Sequence, residues 1–101
     1  MELVAQFFVG ALLCNSLPHL LAGVQGLPFM SPFGKPSGVG RSSPLVNFLW
    51  GTANLVGALA LFAYHPFPIA AESHALVALA GWLASGTFAA LHFGKVQRAA
   101  T

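Results

Sequence analysis

Residues 45–64 read LVNFLWGTANLVGALALFAY, twenty positions without an Asp, Glu, Lys or Arg. At about 1.5 Å of rise per residue, a helix of that length covers about 30 Å, the thickness of a bilayer's hydrocarbon core. Pro44 stands directly before it, where the missing N–H of a first helical turn is no loss. The stretch predicts a transmembrane helix. Two further apolar runs flank it, over about 3–24 and about 69–93, the second entered after Pro68 at Ile69 or at His74 and ending at Phe93. The expected fold is an all-α integral membrane protein, a single domain of three transmembrane helices.

Composition agrees with that reading. Charged residues make up 6% of the 101 positions and hydrophobic ones 56%, with a mean hydropathy of +0.76, whereas soluble domains carry about 25% charge. The pI near 9.2 comes from four scattered cations without a basic stripe, which excludes nucleic acid as a partner. The first run is expected to stay as a span and not to be a cleaved signal. Its leading residues carry Glu2 and no Lys or Arg, and its apolar character continues through Leu20, Leu21 and Val24. Cys14 has no second cysteine to pair with and is expected to be a buried, unreactive thiol.

Charge placement sets the threading. Lys35 and Arg41 lie between the first two runs and Lys95 and Arg98 after the third, while Glu2 and Glu72 occupy the other two segments. Three spans put all four cations on one side, which the positive-inside rule makes the cytoplasm. The N-terminus is then outside, the C-terminus and a loop over 25–44 are cytoplasmic, and a short loop over 65–68 is external. A bacterial inner membrane is the expected location.

That first loop, QGLPFMSPFGKPSGVGRSSP, holds four prolines and four glycines, a density of breakers that leaves no helical or strand period. Loops of about 20 residues are functional or disordered as a rule. Phe29, Met30 and Phe33 argue against disorder and place the loop on the membrane surface or folded under the helices. Its glycines, lysine and serines miss the G-x-x-x-x-G-K-[ST] spacing of a phosphate loop. Lys35 and Arg41 are left as orientation signals that meet lipid headgroups.

Polar intramembrane residues usually face a bundle interior or a cavity. Asn15 and His19 are four apart on the first span, and Asn47, Gly51, Asn54 and Ala58 share a face of the second, with Gly57 alongside. Gly81, Ser85, Phe88 or Ala89, and His92 align on the third. One small, polar face per helix predicts that the three faces meet, through close packing at Gly51, Gly57 and Gly81 or around a solute pathway lined by Asn15, His19, Asn47, Asn54, Ser85 and His92. His19 and His92 fall at similar depth on different helices, as a bis-histidine haem b or a transition-metal site requires. As the alternative they are polar caps at the interface. Trp50 and Tyr64 read as interfacial anchors. Trp82, mid-span beside Gly81, reads as a packing residue or as part of a ligand pocket.

The chain has no Asp, no H-E-x-x-H and no C-x-x-C, and no acid inside a run when the third is entered at His74, which removes proton relays, triads and the common metal motifs. The expected function is therefore non-catalytic. It is an accessory or assembly subunit or a self-associating bundle in the lipid bilayer, in a homo-oligomer or a larger membrane complex. The alternatives are a transporter or channel for a small solute and a haem-binding membrane protein.

Overall fold

A computed structural model of the chain describes residues 2–67 and 72–100. Three helices, α1 (Glu2–Val24), α2 (Pro44–Tyr64) and α3 (Glu72–Ala100), are joined after α1 by a loop holding two short strands, β1 (Phe29–Met30) and β2 (Arg41–Ser42). All three helices are long and apolar enough to cross a membrane. The molecule measures 44 × 23 × 21 Å, and a bilayer with its headgroups is about 40–45 Å thick. The stretch from Pro68 to Ala71, with the Ile69 start of the third run, lies outside the described residues.

The helix ends follow from local chemistry. Gly26 closes α1 with a positive φ of 74°, and Leu27 N donates to Ala22 O while Gly26 N donates to Gly23 O. This is a Schellman cap, which needs a left-handed residue where Gly26 stands. Ser43 caps α2, its hydroxyl accepting from Val46 N, with Pro44 in the first turn. Pro18 lies inside α1, and the nearby Ser16 hydroxyl donates to Leu13 O at 2.7 Å.

α1 is the spine. Its contacts with α2 pair Gly23 with Phe48, Leu20 with Gly51 and Leu12 with Gly57, so the two run antiparallel. Its contacts with α3 pair Gly10 with Ala78 and Trp82, Phe7 with Gly81 and Cys14 with Gly86, so those two run parallel. α2 and α3 build no comparable interface with each other. The sequence expectation that three polar faces converge is replaced by two separate interfaces on α1. The loop, the start of α2 and the end of α3 share one end of the molecule, and Lys35, Arg41, Lys95 and Arg98 all belong to it.

The α1–α3 interface brings two backbones into direct contact. A methyl group at Gly10 would lie 1.7 Å from Ala78 O, and one at Gly81 would lie 1.8 Å from Phe7 O. Only hydrogen fits at either position. Elsewhere α3 is peripheral: 6% of its most apolar stretch is buried, against 28% for α1 and 22% for α2. Leu76, Leu79, Leu83 and Leu91 are exposed, as suits side chains that face lipid.

Gly81→Ala is expected to lower stability by about 1–3 kcal/mol through overpacking. At Gly57 an added methyl meets nothing nearer than Leu12 Cδ1 at 3.5 Å, so Gly57→Ala is expected to be neutral or to gain up to about 1 kcal/mol of helix propensity. Unfolding of the two variants in detergent, followed by circular dichroism, separates them. Equal midpoints would contradict the close α1–α3 contact.

Candidate functional site

The loop folds back on the bundle. β1 and β2 pair antiparallel, with Phe29 opposite Ser42 and Met30 opposite Arg41, a short ladder in a segment whose sequence shows no strand period. The turn between them closes on itself, Gly34 N and Gly38 N both donating to Ser31 O, and Gly40 N to Pro36 O. The Ser31 and Ser42 hydroxyls bond to each other, and Phe33 N donates to Ser31 Oγ. Met30 and Ser31 are buried. The Phe29 ring meets the His19 ring at 5.7 Å and the Phe93 ring at 4.9 Å, while Phe33 leans on Trp50 at 5.3 Å.

Asn47 ties this loop to α1. Its Nδ2 lies 3.0 Å from Phe29 O and 3.2 Å from both Ser42 O and Ser43 O. Three carbonyls around one amide atom require that atom to be the nitrogen. Oδ1 therefore faces His19 and accepts from its Nδ1–H at 2.7 Å, which assigns the His19 tautomer from the network. Asn47 is fully buried and His19 is 2% exposed.

A second amide pair works the same way deeper in the α1–α2 interface. Asn54 Nδ2 donates to Trp50 O at 2.9 Å, so its Oδ1 is the acceptor for Asn15 Nδ2 at 3.0 Å. On α3, His92 Nε2–H donates to Gly38 O at 2.7 Å and its ring stacks on Phe88. That bond fastens the loop to the third helix.

Between α1, α2, α3 and the loop lies a cavity of about 330 Å³. Asn15 and His19 line it from α1, Trp50 from α2, Phe88, His92 and Phe93 from α3, and Ser31, Pro32, Ser37 and Gly38 from the loop. The structure thus brings Asn15, His19 and His92 to one cavity, and places Asn47 and Asn54 behind it as supports. Ser85 is half-buried and not on its wall. Gly51, Gly57 and Gly81 are at helix contacts. Trp82 is 37% exposed and away from the cavity. Lys35 and Arg41 are exposed.

Sequence reasoning took Trp50 for an interfacial anchor and passed over Ser31, Ser37, Gly38 and Phe93. The burial of Asn47 and Asn54 on the face that carries Trp50 one turn away was the available signal. Cys14 lies in an apolar groove between α1 and α3, apart from this site.

The two histidines suit a haem poorly. Each keeps one ring nitrogen free, as a ligating imidazole does, but Phe93 packs edge-on against both rings at 6.4 and 5.1 Å. A cavity of about 330 Å³ is near the floor of the roughly 300–1,000 Å³ typical of small-molecule sites. Among the described residues no group of three or more His, Cys, Asp or Glu is placed to hold a metal ion.

Comparison with protein-family models, with curated proteins and with solved structures finds no match to this chain.

Asn47→Leu keeps side-chain volume but strips the loop and His19 of their shared partner, and is expected to cost roughly 3 kcal/mol or more. The loop should then detach from the bundle. Limited trypsin digestion reads this out at Arg41, whose peptide bond to Ser42 lies within the strand pair. Faster cleavage there in the variant is the expected result, and unchanged cleavage would show that Asn47 does not hold the loop.

Proposed function

We propose that this chain is a non-catalytic integral membrane protein that binds a small solute in the cavity beneath its loop, as the binding component of a transport or accessory assembly. The observation that carries this reading is the cavity itself. Asn15, His19 and His92 reach it from two helices, and each is held in one orientation by a hydrogen bond to a neighbour. The space of about 330 Å³ is a partly open cleft, and packing of the helices alone does not require oriented polar groups along it. Polar groups are expensive in a membrane, and their presence inside one marks a functional site.

The cavity is blind within one copy of the chain. Beyond Asn15 the α1–α2 contact continues through Val9, Leu13, Ala58, Leu59 and Phe62, which line an apolar pocket. A channel through a single copy has no polar wall there, so carriage across the membrane needs a partner or a second copy. An assembly role is the second reading, supported by α3, whose outer side is unpartnered along its length. Homo-oligomers and larger membrane complexes both fit that feature.

For location, the proposal is a bacterial inner membrane with the N-terminus outside and the C-terminus and cavity end in the cytoplasm. Support comes from Lys35, Arg41, Lys95 and Arg98 gathering at one end while Glu2 and Glu72 begin α1 and α3 at the other. With the Cys14→Ala change in place, a cysteine substituted at Ser37, which is exposed, should be labelled from the cytoplasmic side. Labelling of intact cells by a membrane-impermeant reagent would reverse the orientation.

Native mass spectrometry of the protein released from a mild detergent tests the binding reading. The expected spectrum shows a retained species of defined small mass, lost when Ser37→Trp fills the cavity from the exposed loop. A bare protein in gentle conditions, identical with and without that substitution, would remove the binding reading and leave the assembly one.

A further inference from the structure

We infer that the cavity takes an uncharged aromatic ring carrying a hydroxyl group, of the phenol or quinol class, held as a hydrogen-bond donor. The inference rests on the cavity being a binding site and names the chemistry of its occupant.

The amide and imidazole orientations decide it. Asn15 spends one of its two N–H groups on Asn54, which leaves its second N–H and its Oδ1 without a hydrogen bond. His19 spends Nδ1–H on Asn47, which leaves Nε2, and His92 spends Nε2–H on Gly38 O, which leaves Nδ1. On a neutral imidazole the unprotonated nitrogen is an acceptor only. All three side chains therefore keep a lone pair unused. The N–H at the wall, Trp50 Nε1, is buried with no partner and out of reach of solvent-sized probes, so it adds no donor to the open space. Ser31 is occupied by Ser42 and Phe33 N, and the Ser37 hydroxyl can turn either way.

A wall of acceptors selects a donor. An anion is disfavoured, because the three unused lone pairs repel it and the side-chain donors named on the wall are few, the second Asn15 N–H and the Ser37 hydroxyl. An ammonium ion is also disfavoured. No acid lines the cavity, and the four basic side chains at this end raise the local potential against a second cation. An uncharged O–H donor remains. The rest of the wall is aromatic, with Phe88, Phe93 and the Trp50 indole, and flat apolar faces favour a ring stacked or edge-on against them. The volume of about 330 Å³ holds one ring with small substituents, near the floor for small-molecule sites.

The test uses the full chain in mild detergent carrying Trp82→Phe, so that Trp50 alone reports by fluorescence. Phenol and anisole have the same ring and differ by the hydroxyl proton. Phenol should bind saturably and about tenfold more tightly, the share of one hydrogen bond. Partition into micelles favours the more apolar anisole and predicts the opposite order. Equal saturable binding of both would overturn the donor assignment while the cavity reading stands. Binding of neither would overturn the inference, and the retained mass in the native spectrum would still decide the cavity reading on its own. In nanodiscs, competition of bound phenol by an isoprenoid-tailed quinol would support a membrane-borne source, and competition by soluble phenols only would support a free one.

Discussion

The loop end of this molecule depends on the Asn47 side chain. One amide is surrounded by Phe29 O, Ser42 O, Ser43 O and His19 Nδ1, so it joins β1, β2, the α2 cap and α1 at a single buried point. In water such a set of bonds would exchange freely with solvent and contribute little. Inside a bilayer the alternative for each group is to be left unpaired, which costs several kcal/mol per group. A loop of irregular backbone can be folded against apolar helices only if its carbonyls are answered, and the two amide N–H groups of Asn47 are shared among three of them. The remaining oxygen then has one role left, and His19 is oriented as a consequence.

Glycine placement does for the helices what Asn47 does for the loop. Apolar side chains gain nothing by leaving lipid for each other, so helix association in a bilayer rests on close contact and interhelical hydrogen bonds. The α1–α2 interface uses both, with Gly23 and Gly51 at contact and the Asn15–Asn54 and His19–Asn47 bonds between them. The α1–α3 interface relies mainly on contact, at Gly10 and Gly81. Gln6 and His74 lie 3.4 Å apart across it, at the end away from the cavity. Because the glycines seat α3 deeply on α1 near its middle while α2 occupies another side, the two outer helices stay apart. The gap between them at the loop end is where the cavity forms.

Much of this was legible in the sequence, for reasons that differ by feature. The three long helices were readable because each is an uninterrupted apolar run, and residues 45–64 supply one with no charge. The buried face of α2 was readable because Asn47, Gly51, Asn54 and Ala58 keep helical spacing, and polar residues have few other places to go. The strand pair was not readable. Phe29–Met30 and Arg41–Ser42 are too short to show a period, and their pairing is held by Asn47 from outside the loop. The place of Trp50 on the cavity wall was not readable either, because it depends on where Phe33 and the loop return. Nor could spacing show that α1 has two partners on separate sides, since Gly10 reads as an ordinary small residue until the position of Ala78 O is known.

The polarity of the cavity is itself a product of the fold and not of its residue types. Asn and His can each donate or accept, so the list Asn15, His19 and His92 states no preference. Preference arises because backbone carbonyls have lone pairs to spare, at Phe29 O, Ser42 O and Ser43 O around the strand pair, at Gly38 O in the turn and at Trp50 O inside α2. Each draws an N–H from a side chain, directly at Asn47, Asn54 and His92, and through a relayed amide at His19 and Asn15. Most side-chain donors are consumed by the scaffold, the second Asn15 N–H and the Ser37 hydroxyl excepted, and three acceptors are left over. A membrane protein that folds irregular backbone against polar side chains will tend to leave acceptor-lined space, and what such space holds must bring its own hydrogens.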